Sequence, residues 1–584
     1  MSPALAALLC LLAYAAGYRW YSRWLGEKLF RLDAAAVTPA HALEDGVDFV
    51  PTRPLVLFGH HYASIAGLAP MLGPAVAVFW GWLPALLWVV FGSLLVGCVH
   101  DMAALVLSAR HRGESIGALC ESILGPRAKA LFLALIFFGI SLAMGVFVYI
   151  ISLLFSWGED LQPGPDGRLA LAAAKTSFPE VVMPSAGLMI IALGAGWLLY
   201  VRKARLAPVA AGGFVLLLGL IGLGYLYPTI GVAREAWPGQ AQWIWLLMGY
   251  AYLASVLPVW LLLQARDFLN SLLLGVGLTL MYIGFFSQSP DFDAPAINPD
   301  PVGAPPLLPF VFITIACGAA SGFHSLVASG TTARQLDKET DARPIGYGAM
   351  IAESLLGLVA VLACTTTFES GSAWAKLYVN WAAVSDSLGA KLGVFIRGSA
   401  SFIAELGVPE ELAVTLVAMV VVSFALTTLD SATRLLRFNI EEISAALART
   451  RGGRPFALLA NRFVATAAAC ASIAFFAFYE IDGRPAGLTL WTLFGGTNQM
   501  IAGLALLTAT VYLRQHGRNI WPLALPALFM LALTMTGLGI KLAQFLDGGL
   551  ALLSVVAIVL LAIGLGVSLT AVAALRRAAP RRRG

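Results

Sequence analysis

Apolar runs of about 20 residues, the length that carries a helix across a bilayer, follow one another from residue 3 to residue 574. They lack the strict alternation of barrel strands, so they predict helices. About 15 spans are expected on this spacing, over 3–18, 56–79, 82–107, 128–155, 182–200, 207–227, 241–264, 269–287, 306–329, 345–366, 411–433, 457–478, 488–511, 521–544 and 550–574. The polar positions test that division. One set of alternate loops and helix ends, beginning with 19–55, holds 28 Lys and Arg, and the opposite set holds 7. By the positive-inside rule the first set is cytoplasmic. The N-terminus is then expected outside as a retained first helix, with the basic C-terminal tail 576–584 inside. The longest outer segments are 156–181, 286–305 and 367–410, and the last is expected to be either a surface cap or an outer gate.

Composition agrees. The 584 residues are 59% hydrophobic and 12% charged, against about 25% charged in soluble domains, which excludes a soluble globular protein. The net charge of +5 resides in short loops and is no signal for nucleic acid. Six cysteines show no metal-ligand spacing, and no metal or cofactor is expected. HExxH and Walker patterns are absent, which argues against an enzyme. A nutrient-binding sensor is the different-class alternative, but the longest inner loop, 19–55, is short for an output domain.

The spans at 56–79 and 241–264 contain helix-weakening residues mid-span: Gly67 and Pro70 in one, Gly249 and Pro258 in the other. They lie five helices apart and so run in opposite directions. Matched interruptions in inverted halves point to a transporter binding site, because freed backbone groups must line protein or water. The expected organisation is an N-terminal helix and loop (1–55), a first repeat of five helices (56–227), a second inverted repeat (241–433), C-terminal helices (457–575) and the tail. The 306–329 span carries Gly318, Ser321, Gly322, His324 and Ser325, and in a five-plus-five repeat it packs beside 56–79.

The stretches GHHYASIAGLAPMLGP, LASVLPVWLLLQARDFL, PFVFITIACGAASGFHSLVASGTT, IGYGAMIAES, LDSATRLLRF and LWTLFGGTNQMIAGLAL resemble the carbon starvation protein A (CstA) family of bacterial inner-membrane transporters. The similarity runs over residues 15 to 515. It implies uptake of peptides during carbon limitation, with relatives that take up pyruvate by proton symport. It also implies the amino acid–polyamine–cation superfamily and an all-α, LeuT-like core. Longer members carry a further N-terminal hydrophobic segment and a longer C-terminal region than this sequence.

For the substrate, half-helix N-termini suit a carboxylate, which a peptide and pyruvate share. The candidates are Ser64, Ala66 and Gly67, with Tyr252, Ser255 and Leu257, and Ser321 and Gly322. For coupling, Glu353 lies roughly 12 Å into its span, either as a proton carrier or in a structural hydrogen bond. His60, His61 and His324 are candidate proton relays. Sodium, held by carbonyls and hydroxyls such as Ser325 and Thr331, is the alternative ion. Asp101, Arg266 and Asp267 fit gate or ion-pair duty at the inner ends of their helices, and Asp430 is expected to pair with Arg434 at i, i+4. Asn498 and Gln499 are expected to bond between helices.

Overall fold

The computed structural model describes residues 1–157, 176–381, 388–448, 454–481, 484–485 and 491–577. The expected outer segments 156–181 and 367–410 and the basic tail fall partly outside these residues. The chain is an all-helical polytopic membrane protein, apart from a two-residue ladder of Glu480–Ile481 with Arg484–Pro485. Among the described residues ten helices are long and apolar enough to cross a membrane, or eleven if the bent pair Pro54–Ile65 and Ala69–Trp80 is one span. Each of the expected apolar segments contains a helix. Helix starts follow sequence rules: Pro54, Pro126 and Pro179 open helices at a position that needs no N–H.

The long helix Glu410–Ala448 is the centre, with 89% of its apolar window buried, while Leu206–Leu226 (17%) faces outward with Val215, Leu216 and Leu223 exposed. Small residues set the closest contacts. A Cβ on Gly284 would sit 1.7 Å from the Phe402 carbonyl oxygen, so Leu263–Gln288 and Leu388–Ala404 touch backbone to backbone. Leu388–Ala404 is a largely buried helix that the hydropathy reading left without a span of its own; it lies within the expected outer segment 367–410.

Loop contacts segregate into two sets. At one face Thr52 bonds Gln335, Arg110 Nε pairs with Glu339 at 2.5 Å, and Arg518 donates to the Leu29 carbonyl at 2.7 Å. At the other, Trp82 N–H donates to Pro295 O (3.1 Å), Asn298 N–H to Trp80 O (2.8 Å) and Tyr378 Oη to Ala75 O (2.8 Å). The first set joins only the Lys/Arg-rich loops and the second only the others, so the alternation expected from charge is the alternation of the fold.

The interruptions fall as follows. The first broken helix bends by 46° between Ile65 and Ala69. Gly249, expected to weaken its span, lies inside the continuous helix Gln240–Val256 with open space beside it; the interruption there is confined to 257–262 around Pro258, and Leu263–Gln288 follows. A further break, seven residues long, separates Leu307–Thr314 from Gly322–Gly330. Gly318 within it has φ +87°, and its Cβ position lies 3.4 Å from Pro70 Cα, so this break and the first one touch.

Candidate functional site

The contact of the two breaks creates a site. Unwinding frees backbone groups that a bilayer cannot satisfy, and neighbouring side chains take them up. Glu353 Oε1 accepts from the Gly318 N–H at 3.0 Å, and Trp88 Nε1 donates to Ile315 O at 3.1 Å. Asn498 Oδ1 accepts from the Phe323 N–H at 2.9 Å, and Gln499 Nε2 donates to Phe312 O at 2.5 Å. Asn498 and Gln499 do bond between helices, and both brace the second break. On the first break, Thr428 Oγ1 donates to Ser64 O at 3.3 Å and Ser64 Oγ meets Ser431 Oγ at 2.9 Å.

Between the breaks lies a cavity of about 30 Å³, room for two or three waters. Gly67, Ala69 and Pro70 line it from one break and Cys317 and Phe323 from the other; Met144, Phe147, Thr428 and Asn498 close it. The half-helices Ala69–Trp80 and Gly322–Gly330 both start at its wall, so two positive dipole ends converge on a mostly apolar space.

Beneath the crossing is a chain of buried ionisable groups. Asp101 Oδ1 meets His100 Nδ1 at 2.8 Å, and Asp101 Oδ2 meets His324 Nδ1 at 2.9 Å. His324 Nε2 lies 3.0 Å from Glu353 Oε2. His324, Asp101 and Glu353 are fully buried. Both ring nitrogens of His324 therefore face carboxylates. Neutral imidazole has one donor and one acceptor, so two ionised carboxylates would leave one pair of acceptors facing each other. A proton added to a neutral histidine and two carboxylates would satisfy both contacts, of which the Nε2–Oε2 one is at ion-pair distance without hydrogen-bond alignment.

A second buried network lies alongside. His60 Nδ1 meets Asp267 Oδ2 at 2.6 Å, and Asp267 Oδ1 accepts from Arg266 Nη2 at 2.9 Å. Arg266 Nη1 reaches both Asp430 Oδ2 and Tyr250 Oη, and Tyr250 Oη donates to Asp430 at 2.5 Å. This corrects the expected Asp430–Arg434 pair. Asp430 turns to the Arg266 guanidinium across the helix contact, and Arg434 pairs with Asp48 at 3.2 Å. Arg434 Nη2 also donates to the carbonyls of Ala254 (3.0 Å) and Leu257 (2.5 Å), which Pro258 and the interruption leave without helical partners. Val259 N–H donates to Val47 O and Trp260 Nε1 to Gly46 O, so residues 46–52 lie as a strap across helix ends at the face of the Lys/Arg-rich loops.

The histidines expected to act together divide between the networks. His60 belongs to the arginine network and His324 to the carboxylate bridge. His61 Nδ1 meets Thr332 Oγ1 at 2.8 Å between them, within electrostatic reach of Asp101, His324 and His60. Of the substrate candidates, Gly67 lines the cavity, Ser64 and Ala66 flank the first break, and Ser321 and Gly322 flank the second, with Ser321 Oγ bonded to Asn498. Tyr252, Ser255 and Leu257 lie elsewhere: Tyr252 lines a groove toward Cys470 and Phe475, Ser255 is buried in its helix, and Leu257 offers its carbonyl to Arg434. Hydropathy gave no hint that Thr428, Met144 and Phe147 wall the cavity, since they read as ordinary core residues. Among the described residues no group of three or more His, Cys, Asp or Glu side chains is arranged for a metal ion.

The family model described as "Carbon starvation protein CstA" matches residues 3–375 and 371–537. A Helicobacter pylori protein named peptide transporter CstA is 33% identical over 569 residues, covering 89% of this chain and 79% of that one. A Mycobacterium tuberculosis protein of the same name is 34% identical, covering 90% and 73%. The Escherichia coli pyruvate/proton symporter BtsT is 31% identical, covering 91% and 80%. Among solved structures, an Eremococcus coleocola manganese transporter aligns at TM-score 0.41 and 14% identity, covering 92% of this chain and 99% of that one.

Proposed function

The chain belongs to the carbon starvation protein CstA family, and from that premise we propose that it imports peptides across the bacterial inner membrane in symport with protons. Its N-terminus is outside and its C-terminal tail cytoplasmic, on the excess of Lys and Arg in one set of loops. The observation that carries the reading is His324 held between Asp101 and Glu353 while Glu353 also holds the Gly318 N–H. A proton leaving that bridge would leave two buried carboxylates on either side of a neutral ring, and one of them, Glu353, is the group that holds the Gly318 N–H. Proton occupancy and the geometry of the central cavity are thereby coupled, which is the requirement for symport. The converging half-helix N-termini support a carboxylate in the cavity. Gly67, Ser64, Ala66, Ser321 and Gly322 position it, while Arg266, Asp267, Asp430 and Arg434 hold the inner gate. Pyruvate is the second reading, favoured by the resemblance to BtsT and by the small volume of the cavity.

Proteoliposomes containing the full chain, with an inward proton gradient, should accumulate labelled di- and tripeptides. Parallel arms with pyruvate and with a sodium gradient complete the experiment. Accumulation of pyruvate alone selects the second reading, and accumulation under sodium alone overturns proton coupling. No accumulation of either substrate under either gradient overturns transport.

A further inference from the structure

A second, smaller cavity lies on the loop-rich side of the first. Ile140 and Leu326 line both. The volume is about 20 Å³, enough for one or two groups the size of water and too little for a whole peptide. Its wall is mostly aliphatic, with Ser115, Ser329, Asn439 and Glu442 as its polar members.

Ser115 Oγ spends its proton on Glu442 Oε1 at 2.5 Å, and Ser329 Oγ spends its own on Ser325 O at 2.6 Å. Asn439 uses its amide N–H on Leu133 O at 3.2 Å. What remains is Glu442 Oε2 and Asn439 Oδ1, both buried acceptors without a partner, while Ser329 Oγ also accepts from the Ile116 N–H and Ser115 Oγ from the Ala118 N–H. Asn439 is 4% exposed. The nearby cations are engaged elsewhere. Lys129 pairs with Glu121 at 2.6 Å, and Arg334 donates to Gly113 O while stacked on Phe49 and Phe438. Among the described residues Glu442 has no ion pair. Two buried acceptors left without a partner at an ion-sized space, one of them on a carboxylate, suit a compact cation of charge +1.

We propose that the cavity between Ser115, Ser329, Asn439 and Glu442 is a binding site for a monovalent cation, distinct from the proton bridge and the central cavity. The cation is either a sodium ion or the ammonium group of an amino-terminated substrate passing toward the loop-rich face; both present the same charge to the same acceptors.

The full chain in nanodiscs is titrated with sodium chloride against choline chloride at constant ionic strength, and separately with alanyl-alanine against N-acetyl-alanyl-alanine, while the thermal unfolding midpoint is read. A saturable upward shift with sodium identifies the ion; a shift with alanyl-alanine that N-acetylation removes identifies the ammonium group. Glu442→Gln should weaken the half-saturating concentration about ten-fold or more, as expected for one lost charged contact, and leave the midpoint in choline nearly unchanged. If that variant does not fold, Asn439→Leu serves in its place, with the same expectation. A pocket that holds only water would show no saturable shift with either ligand, or a shift that both variants retain, and either result overturns the site. Because binding is read without uptake, failure here is separate from failure of the transport reading.

Discussion

Glu353 has two tasks on its two oxygens, one on His324 and one on the Gly318 N–H. Glu353→Gln keeps the shape and removes the ionisable oxygen. Proton-driven accumulation should fall to background in proteoliposomes, while exchange of external for internal labelled substrate persists; wild-type accumulation would remove Glu353 from the coupling path. Arg266 presents the opposite case. It is the cation between Asp267 and Asp430, all three buried. Arg266→Met should destabilise the protein by about 3–5 kcal/mol, because it leaves uncompensated carboxylates, and Arg266→Met with Asp430→Asn should recover part of that loss. Both are read as unfolding midpoints in detergent.

At the scale of the element, glycines separate breaks from ordinary helix. Gly318 sits at φ +87° against Pro70. Gly318→Ala adds about 1–2 kcal/mol of backbone strain and should lower the transport rate more than the amount of folded protein. Gly284→Ala places a methyl on the Phe402 carbonyl and should lower the yield of monodisperse protein by separating two packed helices. Gly249→Ala, by contrast, lies mid-helix with open space around it, and should leave stability unchanged or raise it by up to about 1 kcal/mol. Composition alone cannot tell these three positions apart, since each is a glycine in an apolar run.

For the whole molecule, release to the face of the Lys/Arg-rich loops would need the strap at 46–52 to let go of Arg434, Val259, Trp260 and Gln335 together. A disulfide between cysteines introduced by Val47→Cys and Val259→Cys, whose backbones are joined by a 3.4 Å hydrogen bond, should lock that face shut. Uptake should stop under oxidising conditions and return on reduction. Uptake that is indifferent to the crosslink would mean the strap does not move.

The sequence by itself determined most of the helices and some of the residues that interrupt them, Gly67, Pro258 and Gly318 among them, but not the continuous helix through Gly249 or the helix Leu388–Ala404. Those properties follow from local chemistry: apolar length, Lys and Arg placement, and the missing N–H of proline. It also marked Glu353, Asp101 and the histidines, because an ionisable group is conspicuous in an apolar run. Which of these groups meet was decided only by the tertiary structure. Asp430 lies one turn from Arg434 in sequence, yet it faces Arg266 on another helix, because side-chain direction and helix crossing outweigh proximity along the chain. His60 and His324 separate into two networks for the same reason. The cavity wall from Gly139 to Phe147 and Thr428 is the clearest case: small and apolar residues carry no chemical signature, and become a site only when two broken helices cross in front of them.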